Sequence, residues 1–231
     1  MNLGWQTNGL AEAFGVTLRL AFTTTALLLV IGIPLALWLN RDRQGKRIWI
    51  ETLITLPIVL PPTVIGFYLL ILFSPHNAIG SAWLQATGQT LAFSFPGLVI
   101  GSVIYSLPFA VQPFQTAFRN VPQDCVEVAQ TLGASRWQRF WNVELPHAKR
   151  GVLGGATLSF AHTMGEFGVV LMLGGSLPGS TRVASIALYD EVQQLNYSAA
   201  HTYAALLLLT SFALLSVVNW LNRRGANENA H

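Results

Sequence analysis

The sequence predicts an all-α, polytopic membrane protein of about five spans, and three observations carry that prediction. The 231 residues are 52% hydrophobic and only 10% charged, against roughly 25% charged in an ordinary soluble domain. Their apolar residues gather into blocks at 14–39, 50–73, 97–118, 151–173 and 200–221. Each block exceeds or closely matches the ~20 residues an apolar helix needs to cross a bilayer. The basic residues are also lopsided. Of 13 Lys and Arg, four (Arg41, Arg43, Lys46, Arg47) lie between the first two blocks, five (Arg119, Arg136, Arg139, Lys149, Arg150) between the third and fourth, and two (Arg223, Arg224) after the last. Five spans put these on one side, so the positive-inside rule makes segment 119–150 cytoplasmic, with the N-terminus outside and the C-terminus inside.

The same numbers exclude other classes. The net charge of +3 comes from this bias and is not gathered around an aromatic surface that would read nucleic acid. One cysteine, Cys125, rules out an internal disulfide or a cysteine metal site. The first apolar run of 26 residues far exceeds a signal-peptide core of roughly 7–15 and lacks a basic start, so it is expected to be retained. No Walker-type phosphate loop, Gly-x-Ser-x-Gly or His-Glu-x-x-His motif is present; the chain is expected to be one transmembrane domain, 1–231, that performs no chemistry of its own.

Taken in order, the first span carries Arg19 near its outer end, where it can snorkel, and Gly32 and Pro34, which suggest a bend. It reads as a peripheral, lipid-facing helix at least as well as a pathway helix. The second span holds Pro57, Pro61, Pro62 and Thr63. Three prolines so close must distort a helix, and distorted backbone at membrane depth has to be covered by protein or line a watery cavity. A plain structural kink and a place beside a pathway both fit. The external loop 74–95 contains Trp83, suited to the interface, and no charged residue. In the third span Pro108 and Pro113 flank Gln112, whose amide faces protein rather than lipid, either bonding to a neighbouring helix or lining a route.

Segment 119–150 is the longest polar interval. Asp124, Val126, Val128, Ala129 and Leu132 keep a helical rhythm, with Asp124 placed to cap. Gly133 breaks that helix, Ser135 starts a second carrying Trp137, Phe140 and Trp141, and Leu145-Pro146 is expected to end it. Such a hairpin can serve as a docking surface or lie on lipid headgroups. In the fourth span Gly151 and Gly155 permit close helix approach, within the chain or in a dimer. His162 and Glu166, four apart, share a helical face. Two ligands make a poor metal site, so an ion pair or hydrogen bond near a gate is preferred. In the last external loop, 178–182 is a turn and 185–193 a short re-entrant or interfacial helix. Arg182 meets either an acidic partner or headgroups. The last span is structural, and the polar stretch after Asn222 is expected to be disordered.

The central segment also resembles a known motif. Glu127-Val128-Ala129, then Gly133-Ala134 after three residues, then Val143, Leu145 and Pro146 resemble the EAA loop of ABC-importer permeases, with Val128 and Val143 as aliphatic departures. The stretch LPIVLPPTVIGFYLL, the tetrapeptide Gly165-Glu166-Phe167-Gly168 and the run around Arg182 resemble molybdate permeases. His162 stands where that family is expected to have Arg, which puts a fixed salt bridge in doubt. The resemblance implies a type I ABC-importer permease fold with the cytoplasmic coupling helix at 119–150, in a bacterial inner membrane. It implies a homodimer, two copies of an ABC ATPase inside, and an oxyanion-binding protein outside that meets the face carrying Arg182. ATP and Mg would belong to the ATPase, with no cofactor or metal on this chain and no nucleic-acid partner. Pro57, Pro61, Pro62, Thr63, Gln112, His162 and Glu166 become pathway or gate candidates. A sulfate or tungstate permease is the nearest alternative. From other classes come a proton-coupled secondary transporter relaying through His162 and Glu166, and a membrane-embedded hydrolase.

Overall fold

The computed structural model describes residues 3–42 and 45–227, so Arg43 lies outside the described residues. Helix α1, Leu3–Asn40, runs unbroken through Pro34. Helices α2, Ile48–Val59, and α3, Pro62–Phe73, meet at a bend of 113°. Helix α4 is Ala78–Thr87 and α5 is Phe95–Arg119. Then come α6, Gln123–Thr131, and α7, Arg136–Arg139, which passes through a π-helical turn at Phe140–Glu144 into α8, Leu145–Met164. Helix α9, Gly168–Gly174, follows at a bend of 59°. Helices α10, Ala184–Gln193, and α11, Tyr197–Asn227, complete the chain. Among the described residues no strand occurs. Three single helices, within α1, α5 and α11, are long and apolar enough to cross a membrane, and the two bent pairs bring the number to five.

Helix α5 is the mast. Ser94 caps it by accepting the Gly97 N–H at 3.2 Å, and Pro96 in the first turn costs no hydrogen bond because that N–H has no helical partner anyway. Its first half packs Leu98 and Val99 into an apolar cluster with Leu20, Leu69, Val169, Val170 and Leu173. Its second half packs Val111, Phe114 and Phe118 against Leu28, Ala36 and Leu39 of α1 and Ala148 and Val152 of α8. A smaller cluster of Ala13, Ala184, Ala187 and Tyr203 ties α10 and α11 to α1. The Arg19 guanidinium lies 4.4 Å above the Phe95 ring, a cation–π contact that pairs a charge in the middle of α1 with the start of α5.

Several expectations are corrected. The loop 74–95 contains α4, whose Trp83 packs against the first cluster; Asn77 before it and the left-handed Gly88 after it are its end signals. Leu145-Pro146 does not end a helix. It falls at the start of α8, because the π-turn carries the helix on, the Leu145 N–H bonding the Phe140 carbonyl, and the fixed φ of Pro146 is compatible with a helix. The fourth apolar block is therefore two pieces, α8 from Leu145 and α9 from Gly168. The stretch after Asn222 continues α11 to Asn227; residues 228–231 lie outside the described ones. The glycine pair serves intrachain packing: a Cβ on Gly151 would meet that of Ala117 at 2.5 Å, and one on Gly155 would meet Phe114 Cε1 at 2.7 Å. Gly154 faces open space.

Overpacking a seam of this kind costs about 1–3 kcal/mol. Gly155→Val is expected to lower the melting midpoint in detergent by roughly 3–10 °C, while Gly154→Ala leaves it within about 1 °C; scanning fluorimetry of the two variants checks both.

Candidate functional site

The segment between α5 and α8 is rigid at both of its turns. At the end of α6, Gly133 adopts φ +79°, the left-handed conformation that costs other residues about 1–2 kcal/mol. Its N–H reaches the Gln130 carbonyl at 2.9 Å, and the Ala134 N–H reaches the Ala129 carbonyl at 3.0 Å. That pair of bonds is a Schellman closure. It gives Ala129, Gly133 and Ala134 a shared physical reason for their spacing. Ser135 then caps α7: its Oγ accepts the Gln138 N–H at 3.3 Å while the Gln138 side chain accepts the Ser135 N–H at 2.8 Å. These reciprocal bonds form a capping box. Arg139 Nε donates to Glu144 Oε1 at 2.7 Å across the π-turn, so the chain passes from α7 into α8 without losing its helical path. The expected cap at Asp124 is replaced by Pro122, and Asp124 sits in the first turn, where its charge favours the helix N-terminus.

This elbow exposes what most surfaces hide. Val128 is 59% exposed, Leu132 81%, Trp137 72% and Trp141 57%, and no residue of α6 is buried. Glu127 lies among them, exposed. A contiguous apolar patch on short, capped helices marks a contact surface for another protein or a membrane.

Below the elbow, polar groups fasten the ends of three helices. Asn40 Nδ2 donates to the Gln115 carbonyl at 2.9 Å, and Gln115 Nε2 donates to Glu51 Oε1 at 3.0 Å. Arg119 Nε donates to Asn40 Oδ1 at 2.8 Å and its guanidinium lies 3.7 Å from Glu51. None of these four residues was singled out in the sequence, since each looks like an ordinary interfacial polar group.

The pathway candidates divide into separate places. Gln112 is exposed on α5 and lines an open cleft of about 660 Å³ with Phe109, Thr116, Asn120, Gly154, Leu158 and Ile58 among its walls. Gln112, Thr116 and Asn120 are four apart, so they form one polar stripe along α5 and its C-cap, apart from Gln115 and Arg119, which bond to α1 and α2. The cleft walls contain no Asp, Glu, Lys or Arg. Pro57 lies elsewhere, buried in an apolar hollow with Ile54, Leu60, Ile104 and Leu107. Pro61 and Pro62 form the α2–α3 break, where the Pro61 carbonyl accepts the Val64 N–H at 2.9 Å, and Thr63 is exposed beside it. This break meets the other one: a Cβ on Gly168 would lie 2.8 Å from that of Pro62, so only glycine lets α9 start there.

His162 and Glu166 are not a pair. Helix α8 ends at Met164, so the two do not share a continuous helical face. His162 Nδ1 meets Ser106 Oγ at 2.9 Å, and its ring stacks on Phe109 at 3.9 Å. Glu166 is 3% exposed, and neither carboxyl oxygen has a hydrogen-bond partner; the buried Ser102 hydroxyl is likewise unpartnered. The Glu166 backbone is held instead, its carbonyl accepting from Ser185 Oγ of α10 at 2.6 Å. In the turn before α10, Arg182 Nε lies 3.3 Å from Asp190 and the guanidinium 4.0 Å from Glu191. Its charge is thus compensated within the chain.

Two broken spans locked against each other, with a capped apolar elbow rooted in one of them, define a membrane-embedded transport subunit. The chain belongs to the family described as binding-protein-dependent transport system inner membrane component, which matches residues 14–226. It is 48% identical over 203 residues to the molybdenum transport system permease protein ModB of Azotobacter vinelandii, covering 88% of this chain and 90% of that one. It is 34% identical over 212 residues to the sulfate transport system permease protein CysT of Escherichia coli K12, covering 92% and 76%. The fold matches that of a bacterial ABC transporter involved in alginate import, with TM-score 0.74 at 19% identity over 93% of this chain and 79% of that chain. It also matches the inward-facing MetNI methionine ABC transporter, with TM-score 0.69 at 18% identity over 94% of each chain. The architecture is that of an ABC-importer permease, a transport subunit and not an enzyme.

An unpartnered buried carboxyl does not hold a fold together. Glu166→Gln is therefore expected to leave the melting midpoint unchanged or to raise it by about 1–3 °C, measured by scanning fluorimetry in detergent. A fall of several degrees would give the carboxylate a structural role instead.

Proposed function

We propose that this chain is the membrane-spanning subunit of an ATP-driven importer of molybdate. Two copies would enclose the pathway, with an ABC ATPase on each elbow and a molybdate-binding protein on the opposite face. The observation that carries the substrate is the 48% identity to a molybdenum transport permease over nine tenths of that chain, against 34% for a sulfate permease. The membrane is the bacterial inner one, with the elbow cytoplasmic, the N-terminus outside and the C-terminus inside, which the basic bias supports. This chain would hold no nucleotide or metal; ATP and Mg would sit on the ATPase.

The mechanism follows from rigidity and from what the cleft lacks. ATP binding closes the two ATPases and draws the elbows together. Because α7 runs into α8, the displacement travels to the α8–α9 break beside Pro62, and the pathway turns outward to accept the anion. Hydrolysis resets it. Only differential contacts between the two states do this work. The cleft offers the anion neutral donors: among the described residues the Gln112 and Asn120 side-chain amides have no partner, and Thr116 Oγ1 already donates to the Gln112 carbonyl at 3.0 Å. Neutral amides stabilise a dianion without the deep trap that a fixed cation would set, so release stays fast. A proton relay is poorly supported, since His162 bonds Ser106 while Glu166 is sealed from it.

In vesicles holding the complete complex, uptake of molybdate is expected to require ATP and to ignore an imposed proton gradient; gradient-driven uptake without the ATPase would contradict the reading. Gly133→Val is expected to reduce copurification of the ATPase at least about fivefold, from a φ penalty of ~1–2 kcal/mol, with membrane insertion intact. Gln112→Leu is expected to lower molybdate uptake while leaving ATPase assembly unchanged, a separation checked by pull-down beside the transport assay.

A further inference from the structure

Where the end of α1 meets α7, a cleft of about 290 Å³ is left open between the membrane helices and the elbow. Its floor is apolar: Ile33, Pro34 and Leu37 from α1, with Phe140 from the π-turn. Its rim is basic: Arg41 from the end of α1, with Arg136 and Arg139 from α7. Arg139 is paired with Glu144, but among the described residues the guanidiniums of Arg41 and Arg136 have no hydrogen-bond or ion-pair partner. Two tryptophans frame the opening, Trp38 at 39% and Trp137 at 72% exposure. Trp38 is fixed in place, with the Arg47 guanidinium 3.9 Å above its ring and also donating to its backbone carbonyl.

We infer that this cleft is a binding site for one anionic phospholipid, its phosphate between Arg41 and Arg136 and an acyl chain along Ile33, Pro34, Leu37 and Phe140. Three features fit that occupant together. Three arginines against one glutamate leave the rim positive, and a phosphodiester is the anion that guanidinium forks match in geometry. The floor is a hydrocarbon surface that water would leave exposed at a cost, and an acyl chain covers it. Trp38 and Trp137 mark the depth at which headgroups begin. A basic pocket between membrane helices at the elbow's level is where an anionic headgroup gains most from the surface field. The consequence reaches the elbow. Helix α7 has no buried residue, so a lipid seated between it and α1 would clamp the elbow to the bundle and sharpen transmission from ATPase to pathway.

The inference rests on the membrane embedding and on the placing of this end at the headgroups, and not on which anion is carried; it can fail while the transport reading stands. The test uses the complete complex, purified from membranes and reconstituted in phosphatidylcholine vesicles with or without 20% phosphatidylglycerol (about one lipid in five, a proportion at which surface electrostatics are felt). Bound phosphatidylglycerol per complex is read by native mass spectrometry, and transport per ATP hydrolysed is read in the same vesicles. Wild type is expected to retain phosphatidylglycerol and to couple better when it is present. Arg41→Gln with Arg136→Gln is expected to cut retention by about twenty-five-fold, from a factor of about five for each guanidinium near the surface, and to remove the gain in coupling. Arg41→Lys with Arg136→Lys keeps most of the retention. Equal retention by wild type and the glutamine pair would overturn the inference. So would displacement of the lipid by millimolar inorganic phosphate, which would make the site one for a free anion. Loss of the ATPase from the glutamine pair with lipid retention unchanged would show the rim to be a protein contact and would equally overturn it.

Discussion

A helix transmits a push as far as its backbone stays helical, and the structure depends on one helical path that continues through a π-turn and past Pro146, which has no N–H to donate. From the Ser135 cap the chain goes through α7, widens into a π-turn, and continues as α8 to Met164. The Arg139–Glu144 bond spans the wide turn where the ladder is weakest. At one end of this rod the apolar elbow stands exposed. At the other lies the break before α9, pressed against the break between α2 and α3 through the Pro62–Gly168 contact. The break before α9 is buried at Gly168, while at the α2–α3 break Pro62 is seated against it and Pro61 and Thr63 stay exposed; irregular backbone at membrane depth has to be covered by protein or to line a watery cavity. A rod ending at two locked hinges can convert a displacement at the elbow into a change at the hinges.

Around the rod, the rest of the fold supplies resistance. Helix α5 carries two apolar clusters on one axis, and the glycine seam at Gly151 and Gly155 brings α8 flush against it. The Asn40, Gln115, Glu51 and Arg119 cluster holds α1, α2 and α5 together beside the elbow. These pairs are partly exposed and individually weak; their use is to fix geometry rather than to add stability. A stiff frame makes a lever useful, since a frame that yielded would absorb the displacement.

Much of this was legible in the sequence, and for physical reasons. Apolar blocks, the basic bias and the prolines at 57, 61 and 62 are local signals, so spans and the α2–α3 break could be read directly. Gly133 and Ser135 could also be read, because a left-handed turn and a capping box each demand particular residues at fixed offsets. What failed depended on context. Leu145-Pro146 is a stop in one setting and a first turn in another, and only the π-turn before it decides. His162 and Glu166 have helical spacing, but the helix ends between them at Gly165, a stop signal masked by the apolar run that continues past it. Gln115, Asn40, Glu51 and Arg119 come from three helices, so their meeting is invisible without the fold. The neutral stripe Gln112, Thr116 and Asn120 was harder to separate, since Gln115 and Arg119 lie between its members and only the fold shows that those two turn toward α1 and α2.

The rod is tested most directly by making it flexible without touching either end. Two glycines inserted after Trp141, inside the π-turn, interrupt the hydrogen-bond ladder while leaving the elbow and the α8–α9 break intact. In reconstituted complexes, ATP hydrolysis and anion uptake would be measured in the same vesicles. A rigid lever predicts that the ATPase stays bound and keeps hydrolysing while uptake falls to the level without ATP. Uptake that persists at the uninserted ratio of transport to hydrolysis would contradict the account.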